Sequence, residues 1–353
     1  MRDAMVDVPH PGDAEQLKLV DAVAVVVTGQ TIALVLGSDL LRIEGRTEWV
    51  LDLLDLLRAG TTASALRRRA GPVDATRLVD QLTAIGWITT GTQAPQPAPD
   101  TFDRQIGYLA TFTPDTATAQ ERLRRSAVAV LGVGGIGATV VQHLAAAGIR
   151  RFHLIDDDTV ALHNLNRQFA YTRDDIGAAK VDVLARRLEV LRPDGSTTLY
   201  RHRVHDADDL AVLPDDLDLL VVAADTPPTI MDHAWRWAEA TTAAVTTAAV
   251  GLGSGHWGPL VRPGSAACWP CFEQQRRDRL SDLERSLEDA LSAPTPYSFG
   301  PSNTAISGML AHDIIEFLCI GTCPTFGRRA HLDFARQRLS HNGKVTCACP
   351  VTP

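Results

Sequence analysis

The 353-residue chain lacks any run of 18 apolar residues, and no secretory signal peptide opens it. Both absences argue against a membrane-spanning or secreted protein and predict a soluble, cytoplasmic one. An excess of positive charge is also missing, because 34 lysines and arginines face 42 aspartates and glutamates, for a formal net charge of −8. This balance disfavours a general nucleic-acid-binding protein. We therefore expect neither a nucleic acid nor a membrane as partner.

Cysteine is scarce, with six in the whole chain. Four of them form two close pairs, Cys268 with Cys271 and Cys347 with Cys349. In a large chain without a signal peptide, such pairs indicate metal ligands more readily than disulfides, although free thiols or a disulfide remain alternatives. Cys319 lies in an apolar helical pattern and Cys323 precedes a proline, so both are predicted to be buried small side chains.

A glycine-rich turn joins two hydrophobic segments in the middle of the chain. VAVLGVGGIG, residues 128–137, predicts a buried strand and a tight turn into the apolar helix ATVVQHLAAAG. The strand FHLIDDDTV follows and places Asp156 at 19 positions after Gly137. This spacing is typical of a nucleotide-binding βαβ unit. In such a unit glycines let the backbone approach a phosphate, the helix N-terminus stabilises negative charge, and the acid binds a ribose hydroxyl.

Two cations follow this unit and favour a triphosphate over a nicotinamide cofactor. NLNRQ, residues 164–168, and IGAAK, residues 176–180, contain Arg167 and Lys180. Farther on, DLDLLVVAAD predicts a buried parallel strand that brings Asp225 to the carboxyl end of the sheet, where ligands bind in open α/β folds. A helix cap is the alternative role for Asp225.

The sequence before the nucleotide unit predicts a separate small domain. A polar tail to about Leu17 precedes three β-rich runs, three helices of which the first covers residues 47–57, and a closing strand in WITT. We predict a winged-helix-like α+β domain over residues 1–90, a proline-rich linker over 91–100 and the main domain over 101–353. A dimerisation or spacer role and DNA binding through three successive arginines (67–69) are alternatives for the small domain.

The main domain is predicted to have an α/β fold with a Rossmann-like, doubly wound, mainly parallel sheet. Beyond the nucleotide unit, the pattern indicates a helix over residues 181–191 and one charged helical stretch over 273–291. A crossover with three prolines and a glycine should occupy residues 293–303. A terminal pair of strands then returns to the second cysteine pair.

Three motifs in order, LGVGGIG, LIDDDTVALHNLNRQ and IGAAKV, resemble the ThiF/MoeB family, adenylyltransferases related to ubiquitin-activating enzymes. The resemblance covers roughly residues 101–349. It implies ATP as substrate, Mg²⁺, a structural Zn²⁺ and a homodimer. Arg104, in FDRQI, matches a family arginine that reaches the triphosphate of the partner subunit.

The resemblance also implies a role for each matching residue. Catalytic roles fall to Arg104, Arg167, Lys180 and Asp225. Nucleotide binding falls to Gly132, Gly134, Gly135, Gly137, Asp156, Asp158, Asn164 and Gln168. Asp225 is the implied magnesium ligand, and the implied zinc ligands are Cys268, Cys271, Cys347 and Cys349. The second cysteine pair is CxC, where the family usually has CxxC.

The small domain resembles the precursor-peptide recognition domains of ribosomal-peptide biosynthesis, which bind a leader peptide along a strand edge and a helix. Together the two domains resemble enzymes that adenylate microcin-type peptides. This resemblance implies ATP-dependent adenylation of the C-terminal carboxyl, or carboxamide-derived, group of a ribosomally made precursor peptide in natural-product maturation. Some members of the resembled family carry a cysteine nucleophile near the crossover, which corresponds to residues 297–303 here. This chain has no cysteine there, so we expect no thioester on the enzyme.

Two alternative functions remain. The first is activation of a ubiquitin-like sulfur-carrier protein through its C-terminus. The second is a non-catalytic partner that binds a leader peptide and delivers it to a cyclising enzyme.

Overall fold

The computed structural model describes residues 15–45, 48–90, 101–290, 297–347 and 349. The chain divides into two compact units, Met1–Gln120 and Glu121–Pro353. The predicted linker, residues 91–100, lies outside the described residues, so the predicted domain bounds stay predictions. Across the described part of the chain, we find no helix long and apolar enough to cross a membrane.

The first unit combines two small antiparallel sheets with short helices. Its strands are β1 (Gln16–Leu19), β2 (Ala24–Thr28), β3 (Thr31–Leu36), β4 (Asp39–Glu44), β5 (Thr61–Thr62) and β6 (Ile88–Thr90). Its helices are α1 (Glu48–Ala59), α2 (Ala63–Ala70), α3 (Pro72–Ala84) and α4 (Asp103–Leu109), and α5 (Thr116–Arg125) crosses into the second unit. One sheet has the order β2-β3-β4, and the other places β1 between β5 and β6. The α+β organisation agrees with the prediction.

Most of the predicted tail, residues 1–14, lies outside the described residues, but its predicted end at about Leu17 is wrong, because β1 already begins at Gln16. Leu17 and Leu19 on β1 are 0% and 1% exposed, and they pack in the core of the first unit. This strand pairs on both sides, with β5 and with β6. A four-residue strand has only two inward positions, so its alternation is too short to stand out beside a polar, proline-containing segment.

The second unit is built on one large sheet. Its strands are β7 (Ala127–Leu131), β8 (Arg151–Ile155), β9 (Ser196–Tyr200), β10 (Leu219–Val222), β11 (Ala244–Val250), β12 (Ser254–Trp257), β13 (Ala330–Asp333) and β14 (Arg338–His341). Its helices are α6 (Gly137–Ala146), α7 (Lys180–Leu191), α8 (Ile230–Thr241), α9 (Trp269–Asp278), α10 (Asp282–Ala290) and α11 (Gly300–Ile320). Three short 3₁₀ turns cover Leu162–Asn164, Arg173–Asp175 and Asp208–Leu210.

The strand order of this sheet is β14-β13-β12-β11-β10-β7-β8-β9. Strands β11, β10, β7, β8 and β9 are parallel, and β12 to β14 extend the sheet in antiparallel fashion. Every residue of β7 and β10 is buried, as expected for central strands of a sheet covered on both faces. The chain runs outward from β7 to β9 and then returns to β10, which creates a switch point between β7 and β10. The predicted doubly wound, mainly parallel sheet is confirmed.

Two local predictions for the second unit need correction. The charged stretch over 273–291 is two helices, because Ser281 and Glu284 form a capping box that starts α10. The predicted crossover over 293–303 ends earlier, since α11 already begins at Gly300. Residues 291–296 lie outside the described part. The predicted helix over 181–191 and the terminal pair of strands are confirmed as α7 and β13–β14.

Candidate functional site

A cleft of about 700 Å³ lies in the second unit, at the carboxyl ends of the parallel strands. This is the edge of the sheet at which the switch point favours ligand binding. Ten of the residues that the sequence singled out line it: Gly132, Gly134, Gly135, Asp156, Asp158, Asn164, Arg167, Gln168, Lys180 and Asp225. The cleft therefore brings together segments separated by almost a hundred residues in the chain.

The glycines at the turn from β7 into α6 meet different steric requirements. Gly132 has φ +85°, and an added Cβ would lie 2.8 Å from the backbone nitrogen of Ala224. At Gly137, which does not line the cleft, a Cβ would overlap the carbonyl oxygen of Gly132. These two glycines allow α6 and the end of β10 to pack closely on the loop. At Gly134 a Cβ would meet its first neighbour at 3.6 Å, so the backbone there stays open to a ligand.

Asp156 follows β8 and braces this glycine loop. One of its carboxylate oxygens accepts a hydrogen bond from the backbone N–H of Val133 at 2.7 Å, and the other accepts one from Asp158 N–H at 2.8 Å. Burial raises the pKa of Asp156, while the charge of Lys180 acts in the opposite direction. The carboxylate is thus held at the junction of loop and strand, where the βαβ pattern predicts the acid that binds the ribose.

The neighbouring acids, Asp157 and Asp158, have different partners. Lys180 is the first residue of α7, its side chain is only 5% exposed, and its Nζ lies 2.7 Å from Asp158 Oδ2. A cation opposes the dipole at a helix N-terminus, and the Asp158 carboxylate offsets that cost. Asp157 instead pairs with Arg203 at 3.2 Å. Arg203 also lines the cleft.

The NLNRQ segment presents both satisfied and unsatisfied groups to the cleft. Asn164 Oδ1 accepts a hydrogen bond from Ala161 N–H at 2.9 Å, which closes a 3₁₀ turn. Arg167 donates through Nη1 to the carbonyl oxygen of His163 at 2.7 Å, and this contact holds its guanidinium in the cleft wall. Gln168 is 5% exposed, and its buried Oε1 has no hydrogen-bond partner among the described residues. Such an acceptor is satisfied when a ligand donates to it.

Asp225 lies three residues beyond β10 and is exposed in the cleft. Thr226 donates a hydrogen bond to its Oδ1 at 3.3 Å. The alternative role as a helix cap is wrong, because α8 begins at Ile230 with Thr229 at the N-cap position. An exposed carboxylate that lines such a cleft is chemically suited to a hard cation such as Mg²⁺.

Sequence reasoning missed several residues of the cleft. Arg203 lies three residues beyond β9, as Asp225 does beyond β10, so the same strand-end rule that identified Asp225 could have found it. Tyr297, Ser298 and Asn303 also line the cleft, from the segment that leads into α11. No local pattern connects that segment with the glycine loop, and only the packing of α11 on α6 and β11 brings them together.

Arg104 is not among the residues that line this cleft. It is an exposed residue of α4, in the first unit. Its predicted role toward a partner subunit stays a prediction.

The four paired cysteines converge on one point in the second unit. Cys268 and Cys271 lie at the start of α9, and Cys347 and Cys349 follow β14. Their Sγ atoms are separated by 3.4 to 3.9 Å in four pairs. A disulfide bond is about 2.05 Å long, whereas four sulfurs bound to one Zn²⁺ at about 2.3 Å would form a tetrahedron with edges of about 3.8 Å. None of these four described cysteines forms a disulfide bond, and the group could hold a metal ion.

The remaining two cysteines are buried, as predicted. Cys319 is 1% exposed and Cys323 is 8% exposed. Burial raises the pKa of both thiols to about 12. A thiol with such a pKa is a poor nucleophile at neutral pH, so neither suits thioester formation.

Known proteins resemble this chain in sequence and in fold. Sulfur carrier protein adenylyltransferase of Thermus thermophilus is 41% identical over 130 residues, which are 37% of this chain and 46% of that protein. Sulfur carrier protein ThiS adenylyltransferase of Escherichia coli is 32% identical over 153 residues, 43% of this chain and 60% of that protein. The chain spans about half the length of the curated relatives it matches.

Similar solved structures cover nearly the whole chain. Escherichia coli MccB with ATP has a TM-score of 0.79 at 22% identity, over 96% of this chain and 100% of that one. The microcin C7 biosynthetic enzyme MccB in complex with N-formylated MccA has a TM-score of 0.78 at 21% identity, over 95% of this chain and 99% of that one. At such identity the likeness shows a shared fold. The sequence model of the ThiF family matches residues 102–350, well over half of the chain, and the protein therefore belongs to the ThiF family.

Proposed function

We propose that this protein is an ATP-dependent adenylyltransferase that activates the C-terminal carboxyl, or a carboxamide-derived group, of a ribosomally made precursor peptide. The observation that carries the proposal is the convergence of an open glycine loop, two cations and an exposed carboxylate in one cleft. A protein that only delivers peptides has no need for this combination. Adenylation uses all three, because the carboxylate of the substrate must approach a triphosphate and both are negatively charged. The loop binds the phosphates, and the cations, with a metal ion on the exposed carboxylate of the protein, reduce the repulsion.

The reaction consists of one displacement at phosphorus. A carboxylate oxygen of the substrate attacks the α-phosphorus of ATP, the bond between the α-phosphorus and the bridging oxygen breaks, and pyrophosphate leaves with that oxygen. The products are an acyl-adenylate and pyrophosphate. Protein groups contribute to such reactions mainly by positioning and by stabilising charge.

The residues of the cleft fit these tasks. The backbone at Gly134 seats the phosphates, and Asp156 holds the ribose. Arg167 and Lys180 stabilise the charge that develops on pyrophosphate. Asp225 would hold Mg²⁺, which neutralises phosphate charge when bound. Beyond Asp225 the cleft is lined by residues 247–250 of β11, an uncharged segment beside which the substrate carboxylate can approach.

The first unit supports a peptide as the substrate. The likeness to MccB with ATP extends over 96% of this chain, whereas the ThiF model begins only at residue 102. Strands β2 and β4 are the outer strands of their sheet in the described structure. An outer strand offers unpaired backbone groups to which an extended peptide can add.

Activation of a sulfur-carrier protein is the second candidate function. It is favoured by the curated relatives, since the two with the stated identities of 41% and 32% are named as adenylyltransferases of sulfur carriers. It uses the same chemistry at the same cleft. The two candidates differ in the molecule that brings the carboxylate, and the first unit has no evident task in the activation of a sulfur carrier.

We also propose that the four paired cysteines bind a structural Zn²⁺. The four protein sulfurs would fill all four coordination positions, which is typical of a structural rather than a catalytic site. The ion would tie the segment after β14 to the start of α9. Because no disulfide bond joins any of the six described cysteines, the cytoplasm is the proposed compartment.

A homodimer is part of the proposal. Arg104 is exposed on α4 and is not among the residues that line the cleft. We propose that it reaches the triphosphate in the cleft of a second copy. An Arg104 variant mixed with an Asp225 variant should then regain activity, because a mixed dimer contains one intact composite site.

ATP–pyrophosphate exchange by the purified full-length protein tests the function. A short peptide encoded beside this gene and, separately, a carrier ending in Gly-Gly are the substrates, and Asp225→Ala is the inactive control. Exchange with the peptide alone supports peptide adenylation, and exchange with the carrier alone supports the second candidate. Exchange with neither, together with tight peptide binding, would assign the protein to non-catalytic delivery.

A further inference from the structure

The glycine loop is also contacted by α11. Asn303 lies in the first turn of α11 and is 4% exposed. A Cβ added at Gly135 would lie 2.6 Å from Asn303 Oδ1, so the amide packs directly against the loop at the point where a glycine is present. One turn later Ser307 donates a hydrogen bond to the carbonyl oxygen of Ile136 at 3.3 Å. Helix α11 thus forms a wall behind the phosphate seat.

The other end of the Asn303 amide holds a second segment of the cleft. Its Nδ2 donates to Ser298 Oγ and to the carbonyl oxygen of Phe299, both at 2.8 Å. Ser298 and Tyr297 line the cleft together with Asn303 itself. One neutral side chain therefore touches the glycine loop with its oxygen and the segment 297–299 with its nitrogen.

The start of α11 has little freedom to shift. A Cβ added at Gly300 would lie 2.8 Å from the carbonyl oxygen of Asn166 and 2.8 Å from the ring of Phe169. Both belong to the segment that also supplies Arg167 and Gln168 to the cleft. The close approach keeps the helix, and with it Asn303, at a set distance from the cationic wall.

We propose that Asn303 is a positioning residue for the adenylation reaction, and this inference rests on the proposed function. Its amide keeps the glycine loop and residues 297–299 in one arrangement, so that the bound α-phosphate and the incoming carboxylate meet in line. A misplacement of about 1 Å is enough to cost about a hundredfold in rate. A neutral amide suits the location because a charged carboxylate of the same shape would repel the triphosphate.

Three variants test this role, in each case in the full-length protein. Asn303→Ala removes both contacts, and Asn303→Asp keeps the shape but adds negative charge beside the loop. Ser307→Ala is the matched control, because it lies on the same helix and contacts the same loop without lining the cleft. Its acceptor, the Ile136 carbonyl oxygen, keeps a helical hydrogen bond from Val140 N–H.

The kinetic readout is the kcat and the KM for ATP in pyrophosphate exchange. We expect Asn303→Ala to lower kcat at least tenfold with a smaller change in KM, and Ser307→Ala to stay close to wild type. Asn303→Asp should be less active than Asn303→Ala at alkaline pH and should recover toward acid pH, as the introduced carboxyl is protonated. A merely structural role would lower the melting temperature of Asn303→Asp in parallel with its activity over the same pH range, because the ionised carboxylate cannot donate to the Phe299 carbonyl oxygen. Wild-type kcat in Asn303→Ala would overturn the proposal.

Hydrogen exchange provides a readout that needs no peptide. Asn303→Ala should speed amide exchange at least fivefold both in the loop at 132–136 and in residues 297–299, whereas Ser307→Ala should not. Unchanged protection in the two segments would also overturn the proposal. Absence of pyrophosphate exchange in the wild-type protein, combined with the expected loss of protection, would refute the proposed function and leave the positioning contact established.

Discussion

Alanine substitutions at Gly137 and at Gly134 should affect different properties. Gly137→Ala should lower the stability of the fold, and Gly134→Ala should weaken ATP binding. At Gly137 the new Cβ would overlap the carbonyl oxygen of Gly132 and lie 3.2 Å from the Cβ of Ala223. Helix α6 must then move away from the end of β7. Overpacking of this kind costs about 1–3 kcal/mol, and we expect a value near the upper end because the overlapped atom belongs to the backbone. At about 2–4 °C per kcal/mol, the melting temperature should fall by about 6–12 °C.

At Gly134 the same substitution should leave the fold intact. The first neighbour of an added Cβ is Gln168 Nε2 at 3.6 Å, an ordinary contact. We expect the free energy of unfolding to stay within about 0.5 kcal/mol of wild type. The methyl group would, however, occupy the approach to the loop backbone. Loss of one hydrogen bond to a charged phosphate is equivalent to about 1.5–3 kcal/mol, so the Kd for ATP should rise about 10- to 100-fold.

Thermal unfolding and calorimetric titration with ATP, on the same preparations, separate the two effects. The Gly137 variant should melt early, and the Gly134 variant should melt like wild type but bind ATP weakly. ATP binding by the Gly134 variant within threefold of wild type would refute the loop as the phosphate seat. A Gly137 variant that melts within about 2 °C of wild type would refute the packing argument.

Three further predictions concern single side chains. Asp225→Asn should lower magnesium-dependent exchange by about a hundredfold or more without changing the melting temperature, because the side chain is exposed; retained activity would exclude it from the metal site. Cys349→Ser should reduce the zinc content, measured by plasma mass spectrometry, whereas Cys319→Ser, which removes a buried thiol of α11, should not. Burial raises the pKa of the Asp156 carboxyl. The free energy of unfolding of wild type should therefore fall relative to that of Asp156→Asn as the pH rises through the raised pKa. Denaturant titrations across the acid range measure both free energies, and a difference between them that does not change with pH would contradict the prediction.

The resemblance to the ThiF/MoeB family anticipated much of the cleft. The glycine loop and the acid at the end of β8 follow from spacing within one βαβ unit, which is a local property. Asp225 was found by the rule that polar residues after buried parallel strands collect at one edge. Arg203 obeys the same rule, and it was missed because β9 has no continuous apolar run to mark it as a strand.

Other features of the cleft and its surroundings have no local signal. The pairing of Lys180 with Asp158 spans 22 positions, and the spacing could not show which of three successive acids would be the partner. The bracing of the loop by Asp156 likewise depends on the exact end of β8. Strand β1 was missed because it contributes only two inward side chains and draws its stability from pairing with β5 and β6.

Local spacing along the chain was enough to predict the glycine loop, the acid after the next strand, the two cations and the two cysteine pairs, because each prediction depends on residues within one short segment or one βαβ unit. The contacts of α11 with the glycine loop, by contrast, could be learned only from the tertiary structure. Ser307 meets the glycine loop across 171 positions, and Asn303 meets it beside that contact. No periodicity encodes such a meeting, since it follows from how α11 packs on α6 and on β11 once the sheet has formed.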